Sequence, residues 1–124
     1  MSNVKKTIWG RDFELKVDYD CFDDEEILPS QKAALDSFLA HWDVVDDSLS
    51  EVKGQCAKDS NGEISSSSIE NIFKYVIPRS LFVFRSPEGT TALMCDYRLD
   101  IEHGLAVVFK DGKLYKLGPQ DIIL

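Results

Sequence analysis

The sequence predicts an α+β domain that spans residues 1–124, with an N-terminal β-hairpin, a helical middle section and a C-terminal antiparallel β-meander. Three observations support this prediction. Apolar and polar residues alternate near the N-terminus, apolar residues recur at helical spacing in the middle, and short apolar runs separated by turn residues fill the last third. A chain of 124 residues can bury enough surface for one core, which favours a single domain.

The N-terminal hairpin is predicted from two short runs, residues 7–9 and 13–17, joined by a turn at Gly10 and Arg11. In the second run every other residue is apolar, so one face of the strand is apolar and the other is charged. The polar and acidic run 18–26 ends this strand and predicts a solvated loop.

The helical middle section is predicted from the spacing of its apolar residues. Residues 30–42 form one amphipathic helix in this interpretation, and residues 43–56 form a second. The polar stretch 58–68 predicts a connecting loop. Residues 69–76 predict a brief third helix that ends before Pro78, because the residue preceding a proline avoids helical geometry.

The C-terminal meander is predicted from four apolar runs and the turns between them. Runs at 81–84 and 90–95 flank a turn at 87–89, and runs at 105–109 and 113–117 flank an Asp-Gly turn. Asp-Gly between two apolar runs is a strong short-range signal for a hairpin.

The net charge of −8 is concentrated in one segment of the chain. Residues 1–11 contain three bases and no acid, and residues 64–124 contain seven of each. Residues 12–63 contain fifteen acids and four lysines. Such a segment repels nucleic acid and anionic membranes and attracts a basic protein, so we expect a protein partner and neither of the other two.

Compartment and cofactors follow from a few residue types. The N-terminus has no signal-peptide core and no segment is long enough to span a bilayer, so we expect a cytoplasmic protein. Cys21, Cys56 and Cys95 lack any paired spacing and are expected to be reduced. His41 and His103 lack metal-ligand spacing, and the acidic run lacks the pattern of an EF-hand, so no metal or cofactor is expected.

The triplet Glu102-His103-Gly104 is the most enzyme-like feature, because a carboxylate beside an imidazole could perform acid–base chemistry. Adjacent residues seldom reach one substrate atom, and a glycine just before a strand is typical of a turn that needs positive φ. We therefore interpret the triplet as a strand-entry turn and expect no enzymatic activity. A small hydrolase or transferase that uses Glu102 and His103 is the alternative.

The last third also resembles a family of small bacterial domains. The residues that carry the resemblance are Leu93-Met94-Cys95-Asp96, Asp100 to Phe109 with the sequence Glu-His-Gly-Leu inside it, Asp111-Gly112-Lys113 and Gly118-Pro119-Gln120-Asp121. Members of that kind are associated with toxin–immunity loci. The resemblance implies an immunity protein, for example of a contact-dependent growth inhibition system, whose partner is the C-terminal toxin domain of the cognate toxin. It supplies no catalytic residues.

Charge and resemblance together predict an acidic surface that occludes the active site of a basic toxin such as a nuclease. We expect the acids to act with aromatic anchors from the same segments. The predicted partner-binding residues are Asp18, Tyr19, Asp20, Phe22, Asp23, Asp24, Glu25, Glu26, Trp42, Asp43, Asp46, Asp47 and Glu51. A housekeeping assembly domain, acidic only for solubility, is a further alternative, and the sequence does not specify an oligomeric state.

Overall fold

The N-terminal hairpin is confirmed and forms one edge of the sheet. In the computed structural model, which describes residues 3–21, 24–85 and 88–120, strand β1 (Asn3–Ile8) pairs antiparallel with β2 (Arg11–Tyr19). The turn consists of Trp9 and Gly10, both with positive φ, as a two-residue hairpin turn of type I′ requires.

The helical middle section is also confirmed, but its second helix is divided. Helix α1 (Pro29–Ala40) begins with a proline at its first position. The expected single helix over 43–56 is instead two helices, α2 (Asp43–Asp47) and α3 (Leu49–Asp59). Ser48 separates them, and its buried hydroxyl donates to the Val45 carbonyl over 2.6 Å. A serine hydroxyl that bonds nearby backbone in this way competes with the helical pattern.

The brief helix predicted over 69–76 is wrong. Only a 3₁₀ turn forms there, Ile72–Lys74, and the chain then enters strand β3 (Val76–Val83) with Pro78 inside it. The strand tolerates this proline because β3 pairs with β2 only from Ser80 onwards, and its register with the next strand shifts beside Pro78.

The C-terminal meander is confirmed. Strand β3 pairs antiparallel with β4 (Thr90–Tyr97), which pairs with β5 (Leu105–Lys110) and then β6 (Lys113–Gly118). Of the predicted turn at 87–89, Pro87 lies outside the described residues.

A parallel contact between β2 and β3 joins the hairpin and the meander into one sheet, which has six strands within the described residues, in the order β1-β2-β3-β4-β5-β6. The three helices lie in the connection between the two parallel strands, as in a βαβ unit. Their apolar faces pack on one face of the sheet, where Phe38 of α1 meets Phe109 of β5 with ring centroids 5.2 Å apart.

Helix α2 lies between two diagonally opposite corners of this sheet. At one corner the indole Nε1 of Trp9 donates to the Val45 carbonyl over 2.9 Å. At the other, Val44 and Leu114 of β6 line the same surface depression. Because a twisted sheet brings one pair of diagonal corners together, the β1–β2 turn and the β5–β6 hairpin flank the same short helix.

Candidate functional site

Four carboxylates project from α2 and the first turn of α3. Asp43, Asp46, Asp47 and Glu51 are all exposed, and none forms an ion pair within the described part of the chain. Asp46 accepts a hydrogen bond from the Trp9 backbone nitrogen over 3.0 Å, which holds the hairpin turn against α2. The negative charge of this cluster, which we call the α2 acidic surface, is therefore not neutralised by the described residues.

A groove separates the α2 acidic surface from the β5–β6 hairpin. Asp47 and Glu51 lie on its helical side, Lys113 lies on the hairpin side, and Val44 and Leu114 provide apolar lining. The depression has a volume of about 250 Å³. An apolar floor with charged rims is the composition of many protein-binding surfaces.

The groove continues into a narrower pocket beneath the end of α1, because Val44 and Gly112 line both. This pocket has a volume of about 80 Å³. Apolar residues from α1, α2 and β5 line it together with four polar residues, Ser37, His41, Thr91 and Asp111. We call it the Thr91 pocket.

The acidic loop after β2 is tied to the rest of the fold by two residues distant in sequence. Arg85 forms an ion pair with Glu25, with Nη2 3.4 Å from the carboxylate, and its Nη1 donates to the Glu26 carbonyl over 3.2 Å. Gln31 is buried and donates through Nε2 to the Asp20 carbonyl over 3.0 Å. Part of the charge of this loop is therefore used to hold it in place.

The Asp20 carboxylate also takes part in this attachment, because its Oδ2 accepts a hydrogen bond from the Arg85 backbone nitrogen over 3.3 Å. Asp24 and Glu26 remain exposed. Phe22 and Asp23, which the sequence also places in the partner surface, lie outside the described residues.

Asp18 lies on the other face of the sheet from the helices. It is level with Phe82 of β3, which belongs to a small apolar cluster on the face opposite the helices. Its carboxylate is 3.5 Å from Lys16 Nζ. Two further acids of β2 also have partners within the hairpin, since Asp12 accepts from Thr7 and Glu14 accepts from Asn3. The strand acids therefore do not share a surface with α2.

The two described aromatic anchors are held inside the fold to different extents. The Trp42 indole donates to the Thr7 carbonyl over 2.9 Å, and its ring lies edge-on to Phe38 and within 5.4 Å of Lys6 Nζ. Tyr19 is half-buried, and desolvation, with a smaller contribution from the charge of Asp36, raises the pKa of its hydroxyl. Trp42 thus fastens the end of α1 to β1.

Apart from Asp18, the predicted acids that the structure describes lie in two groups at opposite ends of α1. The acidic loop contacts the first turn of the helix through Gln31, whereas the α2 acidic surface follows its last residue. A twelve-residue helix is about 18 Å long. Asp36 is exposed on α1 between the two groups, so the helical layer has carboxylates along its whole length.

The Glu102-His103-Gly104 triplet forms a tight turn. The imidazole Nδ1 of His103 lies 3.0 Å from an oxygen of Asp100 and does not pair with Glu102, and the Gly104 nitrogen donates to the Asp100 carbonyl over 2.9 Å. Gly104 has φ +66°, and a Cβ there would lie 2.8 Å from the Cys95 carbonyl oxygen. The glycine is therefore required by the turn, as the structural interpretation of the triplet predicts.

The comparisons with known proteins assign a family to the whole chain. A family model described as a domain of unknown function, DUF6985, matches residues 2–124. The chain belongs to this family. No curated protein and no solved structure matches it.

Of the three free cysteines of the DUF6985 domain, Cys56 and Cys95 are buried and Cys21 is half-buried within the described part of the chain. No group of three or more histidine, cysteine, aspartate and glutamate residues is placed there to hold a metal ion. Cys56 and Cys95 are buried, and desolvation is the main reason that the pKa of each thiol is raised, which suppresses the thiolate. Within the same residues, no helix is long and apolar enough to cross a bilayer.

Sequence reasoning missed the residues of the DUF6985 domain that complete the site. Arg85, Thr91 and Asp111 come from strands or turns that reach the helices only in the folded chain. Asp111 has the only advance signal, because it belongs to the recognised Asp-Gly turn. Nothing in the sequence near Arg85 or Thr91 indicates a role beyond the sheet.

Proposed function

We propose that this protein is a cytoplasmic immunity protein that binds a cognate basic toxin and occludes the toxin's active site. The observation that carries the proposal is the α2 acidic surface, defined by Asp43, Asp46, Asp47 and Glu51. Its carboxylates are exposed and form no ion pairs within the described residues. Asp43 and Asp47 lie four residues apart in α2. Like charges at that spacing destabilise a helix slightly, and a cationic partner would relieve the repulsion.

The groove beside this surface supports the proposal further. Its apolar lining by Val44 and Leu114 offers contact area that excludes water, while Asp47 and Glu51 form a charged rim. Apolar residues at the centre of a protein interface contribute mainly to affinity, and charged residues at its edge determine the orientation of the partner. A toxin that binds nucleic acid has a basic cleft, and an acidic surface placed over it would compete with the substrate.

The separation of the two acidic groups is compatible with one partner. A standard interface covers about 800 Å² of each protein, which is a patch about 30 Å across. The groups at the two ends of α1 are about 18 Å apart. A toxin centred on the α2 acidic surface could therefore also contact Asp36 and the exposed Asp24 and Glu26 of the acidic loop.

Charge reversal on α2 tests the proposal. The triple variant Asp43→Lys, Asp47→Lys and Glu51→Lys removes three carboxylates and leaves Asp46, whose hydrogen bond to Trp9 is structural. We expect its association rate with the toxin encoded beside it to fall at least tenfold at low salt, since electrostatic steering contributes about 10 to 10³-fold. Stopped-flow kinetics over a series of salt concentrations measures this rate.

A matched control separates local charge from net charge. Glu63, Glu70 and Glu102 are exposed and make no side-chain hydrogen bond or ion pair with described residues. Reversing all three to lysine changes the net charge equally, and we expect the rate to change less than threefold. Absence of binding, binding that is indifferent to salt, or equal losses in the two variants would each overturn the proposal.

A further inference from the structure

The Thr91 pocket is an unexplained part of the groove. It opens beside α2 and is lined on its apolar sides by Phe38, Val44 and Phe109. Its volume of about 80 Å³ suffices for two or three water molecules or for the end of one side chain. No lysine or arginine is among the described residues that line it, so its ionisable groups are the carboxylate of Asp111 and the imidazole of His41.

Thr91 lines this pocket and has a buried hydroxyl. The Thr91 backbone pairs with Val83 on one side and with Phe109 on the other. Residues directly opposite each other in a sheet have side chains on the same face, so the side chain of Thr91 lies on the helical face together with that of Phe109. The residue is 2% exposed, and its Oγ1 has no hydrogen-bond partner among the described residues. A buried hydroxyl without a partner is costly, so a hydrogen-bonding group that reached Thr91 would be stabilised.

Asp111 adds a carboxylate to the same pocket. It is the first residue of the two-residue β5–β6 turn, with φ +52°, and its Oδ1 lies over the α-carbon of Gly89, 2.6 Å from where a Cβ would be. The carboxylate forms no hydrogen bond or ion pair with a described residue. The carboxylate is available to a ligand that donates hydrogen bonds.

His41 also lines the pocket. Its Nδ1 lies 2.8 Å from the Ser37 carbonyl oxygen, which can only accept, so Nδ1 carries the proton. A hydroxyl and a carboxylate above an apolar floor match a ligand with an apolar stem and a cationic end that donates hydrogen bonds.

We propose that the Thr91 pocket takes a lysine or arginine side chain of the partner protein. The methylene stem lies against Phe38 and Val44, and the cationic end donates to Asp111 and Thr91. This inference rests on the proposed function, because the partner is the basic toxin. It assigns one specific anchor to an interface whose other charges act mainly through long-range attraction.

Small probes test the pocket without the toxin. The ¹⁵N-labelled full chain is titrated with n-butylammonium and n-butylguanidinium, and with n-butanol and butyrate as uncharged and anionic controls at matched ionic strength. We expect saturable amide shifts at His41, Thr91 and Asp111 with a cation, about tenfold weaker binding of butanol and none of butyrate.

Two conservative variants locate the contact. Thr91→Val keeps the shape and removes the hydroxyl, and Asp111→Asn keeps a residue suited to positive φ and removes the charge. Each should weaken cation binding about tenfold, whereas Glu70→Gln, an exposed change outside the pocket, should have no effect. Equal binding of cation and butanol, shifts that do not saturate, or unchanged affinity in both variants would overturn the inference and indicate that the cavity holds only water.

The same variants separate this inference from the proposed function. Salt-dependent toxin binding that Thr91→Val and Asp111→Asn leave unchanged would refute the pocket and keep the immunity function. Cation binding in the pocket together with no toxin binding would refute the immunity function and keep the pocket.

Discussion

Replacement of Gly104 by alanine tests the structural interpretation of the Glu-His-Gly turn. Gly104 has φ +66°, and an added Cβ would lie 2.7 Å from Gln120 Nε2 and 2.8 Å from the Cys95 carbonyl oxygen. Gln120 Nε2 itself donates to that carbonyl over 3.0 Å. The methyl group would therefore displace both partners of a hydrogen bond that joins the end of β6 to β4.

The expected cost has three contributions. A left-handed conformation costs a non-glycine residue about 1–2 kcal/mol. The lost hydrogen bond costs about 1 kcal/mol, and movement of packed backbone costs about 1–3 kcal/mol. We expect Gly104→Ala to lower the free energy of unfolding by about 3–6 kcal/mol, a large fraction of the stability of a typical domain.

Urea denaturation followed by tryptophan fluorescence measures this change. With a slope of about 1.5 kcal/mol per molar urea, the midpoint should fall by about 2–4 M. Gly62→Ala is the matched control, because Gly62 has φ +82° and no atom within 4 Å of an added Cβ. It should cost only about 1–2 kcal/mol. Equal losses in the two variants would refute the argument that the turn is sterically closed around Gly104.

Two further predictions concern buried groups. Gln31→Leu should lower the free energy of unfolding by about 3 kcal/mol, because the Gln31 side chain bonds the Leu28 nitrogen and the carbonyls of Asp20 and Val83. The control is Gln55→Leu, which removes hydrogen bonds to Asp59 alone and should cost less than about 1 kcal/mol in the same urea assay. Burial raises the pKa of the Cys95 thiol, so the folded state keeps a proton that the unfolded state loses above about pH 8.5, and stability falls as pH rises. Between pH 9 and 11 Cys95→Ala should reduce this fall by about 1.4 kcal/mol per pH unit, and identical slopes in urea titrations of the two proteins would contradict this assignment.

Local patterns were sufficient for most of the strands and for the first helix. The hairpin at the N-terminus and the Asp-Gly hairpin are defined by alternation and by turn residues that tolerate positive φ, both of which are properties of neighbouring residues. The error at 69–76 arose because helical spacing and a buried strand both place apolar residues close together. Pairing with β4, a contact far along the chain, selects the strand from Val76 onwards.

The candidate site was predictable only in part. Exposure of Asp46, Asp47 and Glu51 followed from their positions among the apolar residues of α2 and α3. The attachment of the acidic loop did not, because Arg85 is 59 residues from Glu26, to whose carbonyl it donates. The role of Gln31 was equally unpredictable, because its amide donates to the carbonyl of Val83, which is 52 residues away in the chain.

The sequence by itself determined the α+β class, the hairpins, the amphipathic helix and the confinement of negative charge to residues 12–63, because each depends on composition or on residues close in the chain. Only the tertiary structure decided which acids share a surface. The helices pack on the apolar face of β2, which leaves Asp18 on the opposite face, and the length of α1 separates the acidic loop from α2. The twist of the sheet then brings the β5–β6 hairpin against α2 and forms the groove, a contact that no local pattern encodes.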